Sequence, residues 1–113
     1  VAQTFGSNKL IESGDMSSHI VSDNISLERK GGVLIQCKWT GSPSGVFTVE
    51  ASVTNNNVDE DWAVIPGSTR VVKGAGQVFY DIPKNAYAYV RLRYRALSGS
   101  GSLDVNFNTK ELH

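Results

Sequence analysis

The residues best equipped for chemistry in this 113-residue chain are few and scattered. Asp59-Glu60-Asp61 ends a polar loop that begins at Thr54 and runs through Asn55, Asn56 and Asn57. Hard cations such as Ca²⁺ want several oxygen ligands, and this loop offers carboxylates and amides close together. It lacks the spacing and the glycine of an EF-hand loop, so the plainer reading is a solvated acidic loop, and no metal is expected. His19 and His113 are the two imidazoles and share no metal-ligand spacing. Cys37 alternates in phase with apolar neighbours and reads as a small buried hydrophobe, not a nucleophile. No serine stands in a Gly-x-Ser-x-Gly elbow; Gly99-Ser100-Gly101 reads as a turn. Gly74-Ala75-Gly76 is too short for a phosphate loop. No carboxylate spacing assigns acid–base work. The chain reads as a non-enzyme with no cofactor.

Two further groups suit recognition. Arg91, Arg93 and Arg95 form a basic row along one strand face. Guanidinium groups pair bidentately with carboxylates and phosphates and stack on aromatic rings, so the row is a candidate partner surface. The competing reading pairs it with Glu50, Asp81 or Asp104 on neighbouring strands. Trp39 is in phase with Val33, Ile35 and Cys37 and reads as core. Trp62 follows the acidic loop and reads as a rim residue, with a sugar-stacking platform as the minority alternative.

The elements that must position these residues are strands. Alternation of period two marks Val33–Thr40, Gly45–Val53, Ala88–Ala96 and Gly101–Thr109, each with one dry and one wet face. Weaker strands are expected at Ile20–Val21, Ile25–Leu27, Trp62–Ile65, Arg70–Val72 and Val78–Ile82, separated by Gly, Pro, Ser and Asn clusters. No helical stripe appears. The expectation is an all-β fold, an antiparallel β-sandwich, jelly-roll-like, of about eight strands. Residues 18–113 form one domain in this reading, and residues 1–17 an extended N-terminal arm anchored by Phe5, Leu10, Ile11 and Met16. The arm either ties to a neighbouring subunit or crosses its own sandwich.

Composition bounds the function class. Lys and Arg number 11 and so do Asp and Glu, which removes the electrostatic footprint of a general nucleic-acid binder. A lone Cys37 excludes an intrachain disulfide framework and a cysteine zinc cage. No apolar run reaches the ~20 residues that span a bilayer, and no signal peptide is visible at the start. No nucleic-acid or membrane partner is therefore expected.

From Gly32 to Phe107 the chain resembles a family of small bacteriophage virion proteins with a jelly-roll or sandwich fold. The carrying residues are Gln36 and Lys38-Trp39-Thr40-Gly41, then Ser44 through Glu50 with Ser52. Trp62-Ala63-Val64-Ile65, Tyr89-Val90-Arg91-Leu92-Arg93-Tyr94 and the stretch from Ser98 to Leu103 complete the ordered set. The acidic loop before Trp62 is shorter than in many relatives, and the first thirty residues match no part of the pattern. The resemblance implies a virion structural role with no catalytic residues to carry over. It implies capsid decoration, or cementing, on the virion surface after synthesis in the host cytoplasm. The partner is then the major capsid protein, and the state a homo-oligomer, a homotrimer. Phe5, Leu10 and Ile11 of the arm, with Arg91, Arg93 and Arg95, are the expected contacts. A tail or neck subunit and a carbohydrate-binding module using Trp62 are the alternatives.

Overall fold

The computed structural model describes residues 8–28, 30–83 and 88–111. Ten strands form two antiparallel sheets packed as a sandwich. In chain order they are β1 (Asn8–Asp15), β2 (Ile20–Val21), β3 (Ile25–Ser26), β4 (Lys30–Gly41), β5 (Ser44–Ser52), β6 (Ala63–Val64), β7 (Arg70–Lys73), β8 (Gly76–Pro83), β9 (Tyr89–Ser98) and β10 (Gly101–Glu111). A 3-10 turn at Asp59–Asp61 is the one helical piece among the described residues. The first sheet has the order β1-β10-β4-β8. The second centres on β9 and β5, with β2 and β3 both paired to β9, and β6 and β7 both paired to β5.

The four strongly alternating segments became β4, β5, β9 and β10, the inner strands of the two sheets. Their dry faces meet in one core that includes Val33, Ile35, Cys37, Phe47, Val49, Val90, Leu92, Leu103 and Val105. Trp39, Phe47 and Tyr94 form a tilted aromatic stack through it, with ring centroids 5.3 and 5.0 Å apart. Offset, tilted rings match the negative face of one π-system to the positive edge of the next. Trp39 completes its burial by donating its indole N–H to the Gly74 carbonyl. Burial pushes the Cys37 thiol up to about 12, which leaves it protonated and unreactive at neutral pH. The overall extents, 43 × 42 × 22 Å, are those of a flat tile two sheets thick.

The arm expected over residues 1–17 is more tightly held than its sequence predicts. Residues 1–7, including Phe5, lie outside the described residues. From Asn8 onward the chain is an edge strand of its own sheet, paired to β10 from Asn8↔Phe107 to Asp15↔Ser102. Leu10 and Ile11 pack against the core, and Met16 is fully buried within it. From Asn8 the chain joins its own sheet, because that edge of β10 would otherwise leave its ladder groups unpaired. Leu10 and Ile11, expected as partner contacts, are half-buried against the chain's own core.

The tight hairpin from β9 to β10 uses glycine where nothing else fits. Gly99 has φ +77°, and a Cβ there would stand 2.2 Å from the Ser42 carbonyl oxygen. Gly45 is pressed equally closely, with the Tyr94 hydroxyl 2.5 Å from where its Cβ would be.

Candidate functional site

The outer face of the second sheet holds the chain's main polar cluster. Parity puts Arg91, Arg93 and Arg95 of β9 on that face, and register sets Glu50 of β5 opposite Arg91 and Thr48 opposite Arg93. Glu50 lies between both guanidinium groups. Arg91 Nε donates to Glu50 Oε1 at 2.8 Å, and Arg93 Nε donates to Glu50 Oε2 at 3.0 Å. The residue-53-to-62 loop then folds back over the sheet and brings a second carboxylate. Asp59 Oδ1 accepts from Arg91 Nη2 at 2.9 Å and from Arg93 Nη2 at 3.0 Å. Two cations and two anions thus close a charge-neutral square of four charge-assisted hydrogen bonds.

Trp62 roofs the square. Its ring lies 4.5 Å from the Arg91 guanidinium carbon, in cation–π contact, and its indole N–H donates to the Asn56 carbonyl at 3.1 Å. Asn56 in turn donates to Asp61 Oδ2 at 2.7 Å, and its carbonyl also accepts from Asn24 Nδ2 at 3.2 Å. The loop is therefore tied to the sheet by charge at Asp59 and by packing at Trp62. Arg91 is left only 2 % exposed and Glu50 8 %. The Arg91 hydrogen bond and the nearby Arg93 charge hold the Asp59 carboxyl below its ordinary value of 3.8.

These positions revise the sequence expectations. The acidic loop and the arginine row look like two separate charged surfaces in the sequence; in the fold they neutralise each other. Arg91 is buried and cannot meet a partner, and Arg93 is largely engaged. Arg95 alone of the three stands exposed, with no ion pair among the described residues. Of the proposed intramolecular partners only Glu50 is used. Asp104 lies on the other sheet and faces Lys9 at 3.8 Å, while Asp81 sits on β8, also in that sheet. Trp62, 7 % exposed and stacked on Arg91, presents no platform to a sugar. Asp59 was not among the anticipated partners of the row. The signal for it is a carboxylate triplet followed directly by Trp62, the two groups that a guanidinium binds best.

The square positions charge, and its two guanidinium groups hold the Asp59 carboxyl ionised at neutral pH. Among the described residues no three His, Cys, Asp or Glu side chains gather to hold a metal. His19 accepts a hydrogen bond at Nδ1 from the Ala96 N–H at 3.0 Å. His113 lies outside the described residues.

No family model matches this chain, and no curated protein matches it. Among solved structures it is similar to PirA, with a TM-score of 0.57 and 14% identity, over 88% of this chain and 94% of that one. It is also similar to the K3 cleaved adhesin domain of Lys-gingipain from Porphyromonas gingivalis, with a TM-score of 0.46 and 21% identity. That second match covers 80% of this chain and 63% of the adhesin structure, and carries no argument at so loose a superposition. The likeness to PirA is one of fold: an all-β domain of nearly the same extent.

Proposed function

We propose that this chain is a non-enzymatic structural protein of a phage particle: a capsid decoration protein, acting as a homotrimer, that seats on the major capsid protein and ties its neighbouring subunits together. The observation that carries the reading is the ordered motif set of the resemblance, which falls in order on three of the inner strands and the last hairpin. Trp39-Thr40-Gly41 ends β4, Gly45 to Val49 runs along β5, Val90-Arg91-Leu92 lies near the start of β9, and Gly99-Ser100-Gly101 makes the last hairpin.

A contact surface consistent with this role lies beside the charge square. Register aligns Val71, Val46 and Arg95 in one row across β7, β5 and β9. Val71 is 69 % exposed, and Leu97 nearby is equally bare. Apolar side chains around one unpaired guanidinium suit a protein interface, where arginine is enriched and isolated charge is tolerated at the rim. Neutrality of the chain as a whole disfavours attraction to packaged nucleic acid.

The experiment is particle disassembly. Heads lacking this protein should break at lower temperature and higher dilution of salt than complete heads, and re-added protein should restore them. Equal resistance of the two particles overturns the cement role. A Val71→Asp/Arg95→Glu variant, folded but unable to rebind, locates the contact. Micrographs that find the copies at the neck or tail assign the chain there instead.

A further inference from the structure

Among the described residues no loop covers the outer face of the first sheet, and its chemistry differs. Register lines up Asn106, Gln36 and Phe79 in one row across β10, β4 and β8, and Asp104, Lys38 and Gln77 in the next. Phe79 is 60 % exposed and ends the first row, on the edge strand β8. Gln36 Nε2 donates to Gln77 Oε1 at 3.2 Å, which leaves Gln36 Oε1 and the Gln77 amino group open. Asn106 makes no side-chain hydrogen bond among the described residues.

Next to Phe79 the sheet is indented. A depression of about 640 Å³ opens there, with the backbone turn at Gly76 along its border. Lys38, Gln77, Asp104 and Asn106 edge the depression. Asn106 also edges a smaller hollow of about 90 Å³ beside Phe79 and Gln36.

We propose that this face binds an oligosaccharide: one pyranose ring stacks on Phe79, and the next sits in the depression over Gly76. The weakly positive C–H face of a pyranose complements the negative face of an aromatic ring. Each side-chain amide offers a donor and an acceptor side by side, which matches two vicinal hydroxyls. Gln36 and Asn106 supply such amides on the β4 side of Phe79 and Gln77 supplies one along β8, while Asp104 adds an acceptor. A nucleic acid fits poorly, because Lys9 and Lys38 are offset by Asp104 and make no cationic stripe. A protein partner fits poorly as well, since a single aromatic set among amides provides no desolvated apolar centre. The site is distinct from the capsid-facing row and does not depend on that assignment.

The test is binding of labelled full-length protein to an array of immobilised oligosaccharides, with neutral chains of glucose, galactose, mannose and N-acetylglucosamine in one arm and uronate- or sialate-bearing chains in the other. Retention on either arm is expected, and the arms separate a neutral from an acidic sugar. Phe79→Ala should lower it at least tenfold and Gln36→Ala severalfold, while Phe79→Tyr and Arg95→Ala retain it. Circular dichroism and melting temperature verify that each variant is folded. Bound sugar should also perturb the fluorescence of Trp39. Failure of the wild-type protein to bind any oligosaccharide overturns the proposal, as does binding that survives both Phe79→Ala and Gln36→Ala. Retention only on polyphosphate and single-stranded DNA controls, abolished by 0.5 M salt, overturns it in favour of charge-driven contact.

Discussion

The two outer faces of the sandwich are polar in the sequence to a similar degree and are used in opposite ways. On the second sheet the chain covers its own polar groups: Asp59 and Trp62 fold over Arg91, and the charges are satisfied within the molecule. On the first sheet Gln36, Gln77, Asn106 and Phe79 are left to the solvent, with hydrogen-bonding capacity unspent. Alternation establishes which side chains leave the core. It does not establish whether they then meet water or a returning loop. The covered polar patch of Arg91, Glu50 and Asp59 works for stability, so mutations there should differ sharply in kind from mutations at Phe79 and its open neighbours.

The largest effect is expected at Arg91. Arg91→Ala strands Glu50 as a buried charge with half its partners gone and should cost about 3–5 kcal/mol in urea denaturation. A companion Glu50→Gln change should restore part of that loss, and a double-mutant cycle should give coupling of about 1–3 kcal/mol. An Arg91→Ala loss no larger than that of Phe79→Ala on the open face would erase the distinction between the faces. Trp62→Ala comes next, at about 3 kcal/mol, because it removes the roof and the cation–π contact together.

Asp59→Asn should act more mildly, freeing the loop while the Arg91–Glu50 pair persists. It should appear as increased amide hydrogen exchange over residues 53–62 with little change in melting temperature. The pH dependence follows from the same group. Its folded carboxyl titrates below 3.8, so its contribution is complete above pH 3.8 and is lost as pH falls through the lower, folded value. In a Trp39→Phe background, Trp62 fluorescence should therefore shift on acidification below pH 3.8, and the Asp59→Asn variant should lack the shift. Lys9→Ala closes the series. Lys9 and Asp104 are both nearly half exposed and 3.8 Å apart, so its removal should change stability by less than about 0.5 kcal/mol.

The strands were legible wherever alternation ran unbroken. β4, β5, β9 and β10 fall on the four segments with strict period two, and even the short β2 and β7 coincide with the weak patterns at Ile20–Val21 and Arg70–Val72. β1 was not legible, for a local reason. Its pairing to β10 shifts register between Lys9 and Ile11 and again between Ile11 and Gly14, so no parity survives along it. Leu10 and Ile11 stand side by side where a regular strand would place one of them outside. The candidate site was half legible. Parity placed the arginines and Glu50 on one face, since cross-strand neighbours follow from register. The return of Asp59 across a loop of irregular backbone has no period to reveal it, and only the juxtaposed Asp59-Glu60-Asp61-Trp62 hinted at the destination.

The 22 Å thickness of the tile has a thermodynamic corollary. The exposed row at Val71 and Arg95 and the Phe79 face lie on opposite sides of a close-packed double layer, with no shared side chain between them. Linkage requires that occupancy of one site change the free energy of the other. Occupancy of either proposed surface should therefore leave affinity at the other unaltered, with a coupling constant near unity.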